Sequence, residues 1–218
     1  MNEWPPGLIP WISQHTGCAQ EQIALSLVAG DASPRRYYRV TGWKSDERIR
    51  AGGSRPHADS LMAMVAPPTE NNEAFLHVGA RMAEIGVRTP VVWAKSVEEG
   101  WFLLEDFGDQ QLLMSLRALP AVSLQASATQ LYSEACRALL RQITLPIEKA
   151  GIPIYDAQQL QTELDVFLEW FVTGLLHLEV EASVQRGYTA LSKDLIASAL
   201  AQPTVWVPRD FHSRNLIG

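Results

Sequence analysis

The chain has 218 residues, 47% hydrophobic and 19% charged, an ordinary balance for a globular protein built as one large domain or two small lobes. A net charge of −6 argues against nucleic acid or an anionic membrane as the main partner, because both attract a basic surface. Cys18 and Cys136 lack metal-ligand spacing, no apolar run reaches membrane-spanning length, and the start of the chain lacks a secretory signal, so a cytoplasmic protein with reduced thiols is expected.

The first half reads as strands with one helix. Leu8 to His15 forms a short helix closed by Gly17. Ile23, Leu25 and Leu27 alternate with smaller residues, as in a half-buried strand. Gly30-Asp31-Ala32-Ser33-Pro34 is a turn cluster, and Tyr37 to Thr41, aromatic and β-branched, completes a hairpin. Lys44 to Ser60 is charged, holds Gly52, Gly53 and Pro56, and reads as a loose connection. Leu61 to Ala66 is a third strand ending at Pro67 and Pro68. Asn71 or Asn72 caps a helix carrying Phe75, Leu76, Met82 and Ile85, which Gly86 stops. Val91 to Ala94 and Trp101 to Glu105 are strands, the second leading into Asp106-Phe107-Gly108-Asp109.

The second half reads as helical. Ser127 to Gln142 places Leu131, Ala135 and Leu139 at helical spacing. Asp156 caps a helix whose Leu160, Leu164, Phe167, Phe171 and Leu175 define one apolar face. A further helix runs from about Tyr188 to Ala201, and Thr204 to Val207 is a short strand feeding the loop at Asp210. The change from β to α occurs once, which predicts an α+β fold with segregated lobes.

Asp210 and Asn215 carry the strongest chemical signal. An Asp that can take a proton from an attacking hydroxyl, five residues before an Asn whose amide oxygen can hold a metal ion, is the spacing of a kinase catalytic loop. The same pattern suits a plain turn after a strand. His212 either faces a transferred phosphoryl group or bonds its own loop. Gly30 permits close approach of backbone to phosphate, with Arg35, Arg36 and Arg39 just beyond; the alternative is a solvated hairpin. Asp106-Phe107-Gly108 spells a tripeptide that kinases keep after the catalytic loop, but here it precedes the loop by about a hundred residues. It reads as a hinge, with backbone groups near Glu105 and Phe107 available to an adenine edge and Asp106 not assigned to metal. Glu163, Asp165, Glu169, Glu179 and Glu181 read as solvated, and Trp170 and His177 as packing residues.

Together the segments 30–39, 64–68, 102–109, 200–203 and 209–216 resemble the aminoglycoside-phosphotransferase branch of kinase-like enzymes, nearest to the bacterial anomeric kinases of N-acetylmuramate and N-acetylglucosamine. The resemblance implies a protein-kinase-like two-lobe fold: a β-rich N-lobe over 1–105, a hinge over 106–110, and an incomplete helical C-lobe over 111–218 that ends at the catalytic loop. It implies ATP and Mg²⁺ as cofactors, a small-molecule sugar as acceptor, and a place in cell-wall recycling. By residue it implies Asp210 as base, His212 beside the phosphoryl group and Asn215 on magnesium. Gly30, Asp31, Ala32, Ser33 and Arg36 would lie at the nucleotide phosphates, with Glu105, Asp106 and Phe107 against adenine.

Three departures stand out. Pro208 occupies a position where kinase loops usually carry His. The strand from Leu61 to Ala66 has no lysine for the phosphates, a role Arg35, Arg36 or Arg39 would have to take. The sequence also ends before a second metal-binding Asp, so the expectation is an N-terminal portion with little or no turnover and exposed apolar surface. A nucleotide-binding pseudokinase or scaffold, and a choline- or aminoglycoside-type kinase, are the alternatives.

Overall fold

A computed structural model of the chain describes residues 4–28, 34–42, 60–122, 124–149 and 151–217. The expected phosphate-covering residues Gly30, Asp31, Ala32 and Ser33, and nearly all of the 44–60 connection, lie outside them. The chain folds as two compact units, Met1–Ile143 with Val207–Gly218, and Thr144–Trp206. The segment 106–110 and the Asp210 loop therefore belong to the same unit.

The first unit is organised by a sheet. Strands β1 (Ala24–Val28), β2 (Arg36–Thr41), β3 (Leu61–Val65), β4 (Val92–Ser96) and β5 (Trp101–Glu105) pair antiparallel in the order β1-β2-β3-β5-β4. Register sorts the side chains onto two faces, because alternate residues point to opposite sides. Tyr38, Ala63, Leu103 and Ala94 lie in one row across the strands, and Tyr37, Met64 and Phe102 in the next. The first face packs on helix α1 (Leu8–Thr16) through Leu8 and Ile12, both fully buried. The second gathers Met64, Ala66, Phe102 and Leu104 with Phe75 and Leu76 of helix α2 (Asn72–Glu84). All five residues of β5 are buried, as befits a strand covered on both faces.

The predicted stop and start signals act as read. Gly17 ends α1 in the left-handed region (φ 70°), its N–H donating to the Ser13 carbonyl, and the Asn71 side chain caps α2 by accepting from the Ala74 N–H at 2.9 Å. A six-residue helix, α3 (Leu112–Arg117), was not expected from the sequence. Helix α4 (Leu124–Ile143) follows it. Both cysteines are free thiols.

The second unit is helical. Asp156 caps α5 (Ala157–Val166), accepting from the Gln159 N–H at 2.9 Å. The chain then continues as a π-helical stretch, Phe167–Leu175, before α6 (Ala182–Leu200). The wider π turn corrects the expected apolar stripe: steps of three and four no longer follow the helix period, and Phe167, Phe171 and Leu175 remain 48%, 45% and 66% exposed. Phe167 stacks on Phe171 and Tyr188, and the Tyr188 hydroxyl donates to the Leu164 carbonyl.

Three further readings are corrected. Thr204 to Val207 forms no strand: among the described residues nothing offers it a ladder, and Val205 and Val207 are exposed. Trp170 is 66% exposed rather than packed, and His177 is an exposed residue at positive φ, holding a turn rather than a core. Among the described residues no helix is long and apolar enough to cross a membrane.

Candidate active site

The 105–109 segment is assembled from carboxylates and the cations that neutralise them. Glu105, at the end of β5, is buried, and its carboxylate accepts from Arg88 Nη2 at 2.6 Å and from the Val91 N–H at 3.2 Å. The same Arg88 guanidinium lies 5.0 Å from the centre of the Phe107 ring. Asp106 is more deeply enclosed, accepting from Arg39 Nε (2.6 Å) and Nη2 (3.2 Å), from Ser60 Oγ (2.7 Å) and from the Gly108 N–H (2.8 Å). Arg39 also donates from Nη1 and Nη2 to the two oxygens of Asp109, at 2.8 Å each.

Burial pushes the Asp106 carboxyl up, but bonds from Arg39, Ser60 and the Gly108 N–H outweigh it and hold the group below its ordinary range. Bonds to Asp109 first, and then Asp106, push Arg39 further above its ordinary value against the opposing effect of burial. Asp106 is thus an ionised structural anchor, with its lone pairs already spoken for. The Phe107 N–H, one residue on, has no hydrogen-bond partner among the described residues.

A cavity of about 340 Å³ opens beside this segment. Val28, Tyr37 and Met62 line it from the sheet, residues 104–109 from the end of β5 and the turn after it, and Gln111 and Ile217 from beyond. Its walls are mainly apolar with a few main-chain and carboxylate groups at one edge, the pattern of a small-molecule site. Ile217 reaches it through an isolated bridge to Gln111. The first amides of α3 add to that link: Leu112 N–H donates to the Leu216 carbonyl (2.8 Å) and Leu113 N–H to the Ser213 carbonyl (2.9 Å). The orphan donors at the start of α3 are satisfied by the Asp210 loop itself, with no side-chain cap.

The loop is held by its own polar groups. Asn215 Nδ2 donates to the Asp210 main-chain carbonyl at 3.1 Å, and the Asn215 N–H to the His212 carbonyl at 2.9 Å. With Nδ2 engaged, Asn215 Oδ1 is left to accept from or coordinate an outside group. The Asp210 carboxylate is exposed and makes no hydrogen bond among the described residues. His212 Nδ1 accepts from the Arg214 N–H at 3.3 Å, and its Nε2 lies 3.4 Å from Asn215 Nδ2. Its imidazole is therefore bonded within its own loop. Asn215 Oδ1 and Asp210 offer the hard oxygen donors that magnesium accepts, while no group of three His, Cys, Asp or Glu converges among the described residues. The donor set fits a partial site rather than a closed cage.

The candidate arginines have separate positions. Arg35 pairs with Glu70 at 3.2 Å and lies 5.4 Å from the Phe75 ring centre. Arg36 is exposed, and strand alternation puts it in the row of Tyr38 and Val40, opposite the cavity-lining Tyr37. Arg39 is committed to Asp106 and Asp109. On β3, Met62 lines the cavity and Met64 shares its face. The structure thus brings Glu105, Asp106 and Phe107 to one cavity with Ile217, two residues past Asn215, and leaves Arg36 on the other side of the sheet. Sequence reasoning missed Arg88, Ser60, Gln111 and Ile217; the signal for Ile217 was its apolar character immediately after the loop.

No family model matches the chain. It is 34% identical over 194 residues to the N-acetylmuramate/N-acetylglucosamine kinase of Pseudomonas putida, across 89% of this chain and 51% of that protein. The protein of the same name from Pseudomonas aeruginosa is 32% identical over 220 residues, across 100% of this chain and 58% of the relative. That of Neisseria meningitidis serogroup B is 28% identical over 199 residues, across 91% and 54%. The chain is homologous over most of its length to curated proteins of this name, and it spans a little over half the length of each.

Proposed function

We propose that the chain carries the nucleotide site and catalytic loop of an ATP-dependent phosphotransferase acting on the anomeric hydroxyl of N-acetylmuramate or N-acetylglucosamine, in the cytoplasm, within cell-wall recycling. The observation that carries this reading is the junction of hinge and loop. The residues bonded to α3 on either side of Asn215 deliver Ile217 to the cavity edged by Glu105 and Phe107. The names of the relatives support the sugar acceptor. In this reading residues 1–105 serve as N-lobe, 106–110 as hinge and 111–218 as part of a helical C-lobe.

The adenine edge meets the Phe107 N–H and the main chain at Glu105, with its faces against Met62 and Ile217. Asp210 orients the sugar hydroxyl and takes its proton as the oxygen attacks the γ-phosphorus; the bond to the bridging oxygen breaks and ADP leaves. Magnesium, when bound with the nucleotide, neutralises charge on the phosphate oxygens, and Asn215 Oδ1 would be one of its ligands. A single side-chain ligand is a weak hold, so the 218-residue chain is expected to bind nucleotide but turn over very slowly.

Calorimetric titration with ADP and Mg²⁺ tests this. Binding is expected, weakened by Asn215→Ala and abolished by Ile217→Trp, which fills the cavity while the circular dichroism spectrum is retained. Sugar phosphate formed from N-acetylmuramate and ATP should stay close to background and vanish in Asp210→Asn. Absence of nucleotide binding would sink the reading. A second reading, a nucleotide-binding module without turnover, draws on Met62 and Met64 standing on the β3 face where a phosphate-binding lysine would be expected. It is favoured if binding is intact and no Asp210-dependent product forms at any enzyme concentration.

A further inference from the structure

Arg39 has no task in the chemistry above, yet it makes more charged contacts than any other residue described around the cavity. It stands on β2 in register with Met62 and reaches to the hinge, where every guanidinium nitrogen is engaged: Nε on Asp106, Nη1 on Asp109, Nη2 on both. Asp106 is 2% exposed, so this guanidinium offsets a charge that water cannot reach. The remaining bonds of Asp106 shape the backbone. Its Oδ1 accepts from the Gly108 N–H, closing a tight turn with Gly108 at φ 79°. The residue inside that turn is Phe107, which lines the cavity and whose N–H has no partner among the described residues.

Resting on the nucleotide-site reading, we propose that Arg39 is a positioning residue for the purine base: it holds Asp106 and Asp109 so that the 106–109 turn presents the Phe107 N–H to the base edge. The physical reason is the high cost of a buried carboxylate that loses its cation. Without Arg39 the carboxylate rotates toward water or takes a proton. In the first case the Gly108 bond is lost, and the orientation of the Phe107 amide goes with it. Arg39 is not a phosphate ligand, because its donors are already used.

The test is calorimetric titration of the 218-residue chain with ADP and, separately, GDP. Arg39→Ala should weaken ADP binding about tenfold or more while leaving weaker GDP binding nearly unchanged, so that the preference between bases collapses. Arg39→Lys should behave similarly, since one ammonium cannot reproduce the fork that spans two carboxylates. Arg39→Ala combined with Asp106→Asn should recover ADP affinity to within about threefold of the wild type, because the amide keeps the Gly108 bond and buries no charge. If the wild type binds no ADP, the nucleotide reading itself fails and takes this role with it. If the wild type binds and Arg39→Ala binds equally well, the positioning role alone is overturned. It is also overturned if the double variant folds but stays weak, which would mean that Arg39 touches the nucleotide directly. Should Arg39→Ala fail to fold, the double variant decides the matter, as it carries no unpaired buried charge.

Discussion

The sheet and the helical unit Thr144–Trp206 use similar apolar residues to different ends. In the sheet, β5 is buried along its whole length and two apolar clusters close on α1 and α2. In the helical unit, Phe167, Trp170, Phe171, Leu175 and Leu191 are all roughly half exposed or more, and Leu145 and Trp206 are the buried hydrophobics among the described residues. A sheet with a helix on each face completes its core within a short stretch of chain. A few helices with wide apolar faces need more neighbours than this unit supplies, so their apolar area stays in water.

That contrast can be broken most sharply by truncating one large side chain on each side of it. Phe102→Ala, at a fully buried site, should cost about 3–5 kcal/mol in urea denaturation, whereas Trp170→Ala should stay within about 0.5 kcal/mol. Trp170→Ala should instead lower the binding of a dye that reports exposed apolar surface. Equal losses would show that Trp170 is packed in solution and would erase the distinction.

Glycines sharpen the comparison at a smaller scale. Gly100 sits at φ 70°, and a Cβ there would come within 1.8 Å of the Ala66 carbonyl oxygen, so Gly100→Ala should cost about 1–3 kcal/mol. Gly187, within α6, has open space around it, and Gly187→Ala should stabilise by about 0.5–1 kcal/mol. Thermal melts of the two variants should move in opposite directions.

The smallest expected effect concerns acid. Asp106 titrates below its ordinary value in the folded chain, so its contribution to stability is complete above the unfolded carboxyl value, 3.8, and fades as pH falls through the lower folded value. Wild type should therefore lose stability more steeply than Asp106→Asn between about pH 4 and pH 2, with parallel curves at neutral pH. Denaturation midpoints across that range would show it, and parallel acid limbs would remove Asp106 from the account.

Much of the sheet unit was readable in advance because its signals are local. Alternation in 23–27, the aromatic and β-branched run 37–41, the apolar run 61–66, the Asn71 cap, and Gly17 and Gly86 act through neighbours along the chain. Helix α3 was not readable: it has six residues, and its first donors are satisfied by Ser213 and Leu216, which are remote in sequence. The expected strand at 204–207 failed for the converse reason, since apolar β-branched residues make a strand only where a partner strand offers its ladder. The π turn after Val166 likewise changed which side chains share a face, an outcome no count of threes and fours anticipates.

For the candidate site, the spacing of Asp210 and Asn215 and the tripeptide at 106–108 were legible because they are short motifs. Strand parity puts Arg36 on the face opposite Tyr37, while Arg39, three residues on, is bonded to Asp106 and Asp109. The sequence by itself determined the strand and helix signals, the caps and the spacing of Asp210 and Asn215, all governed by residues a few positions apart. Tertiary structure alone decided which carboxylates are neutralised, which main-chain amide stays without a partner among the described residues, and that Ile217 joins the cavity beside residues 104–109. Those outcomes depend on strand register and on contacts across dozens of residues, where burial sets the strength of each charge and bond.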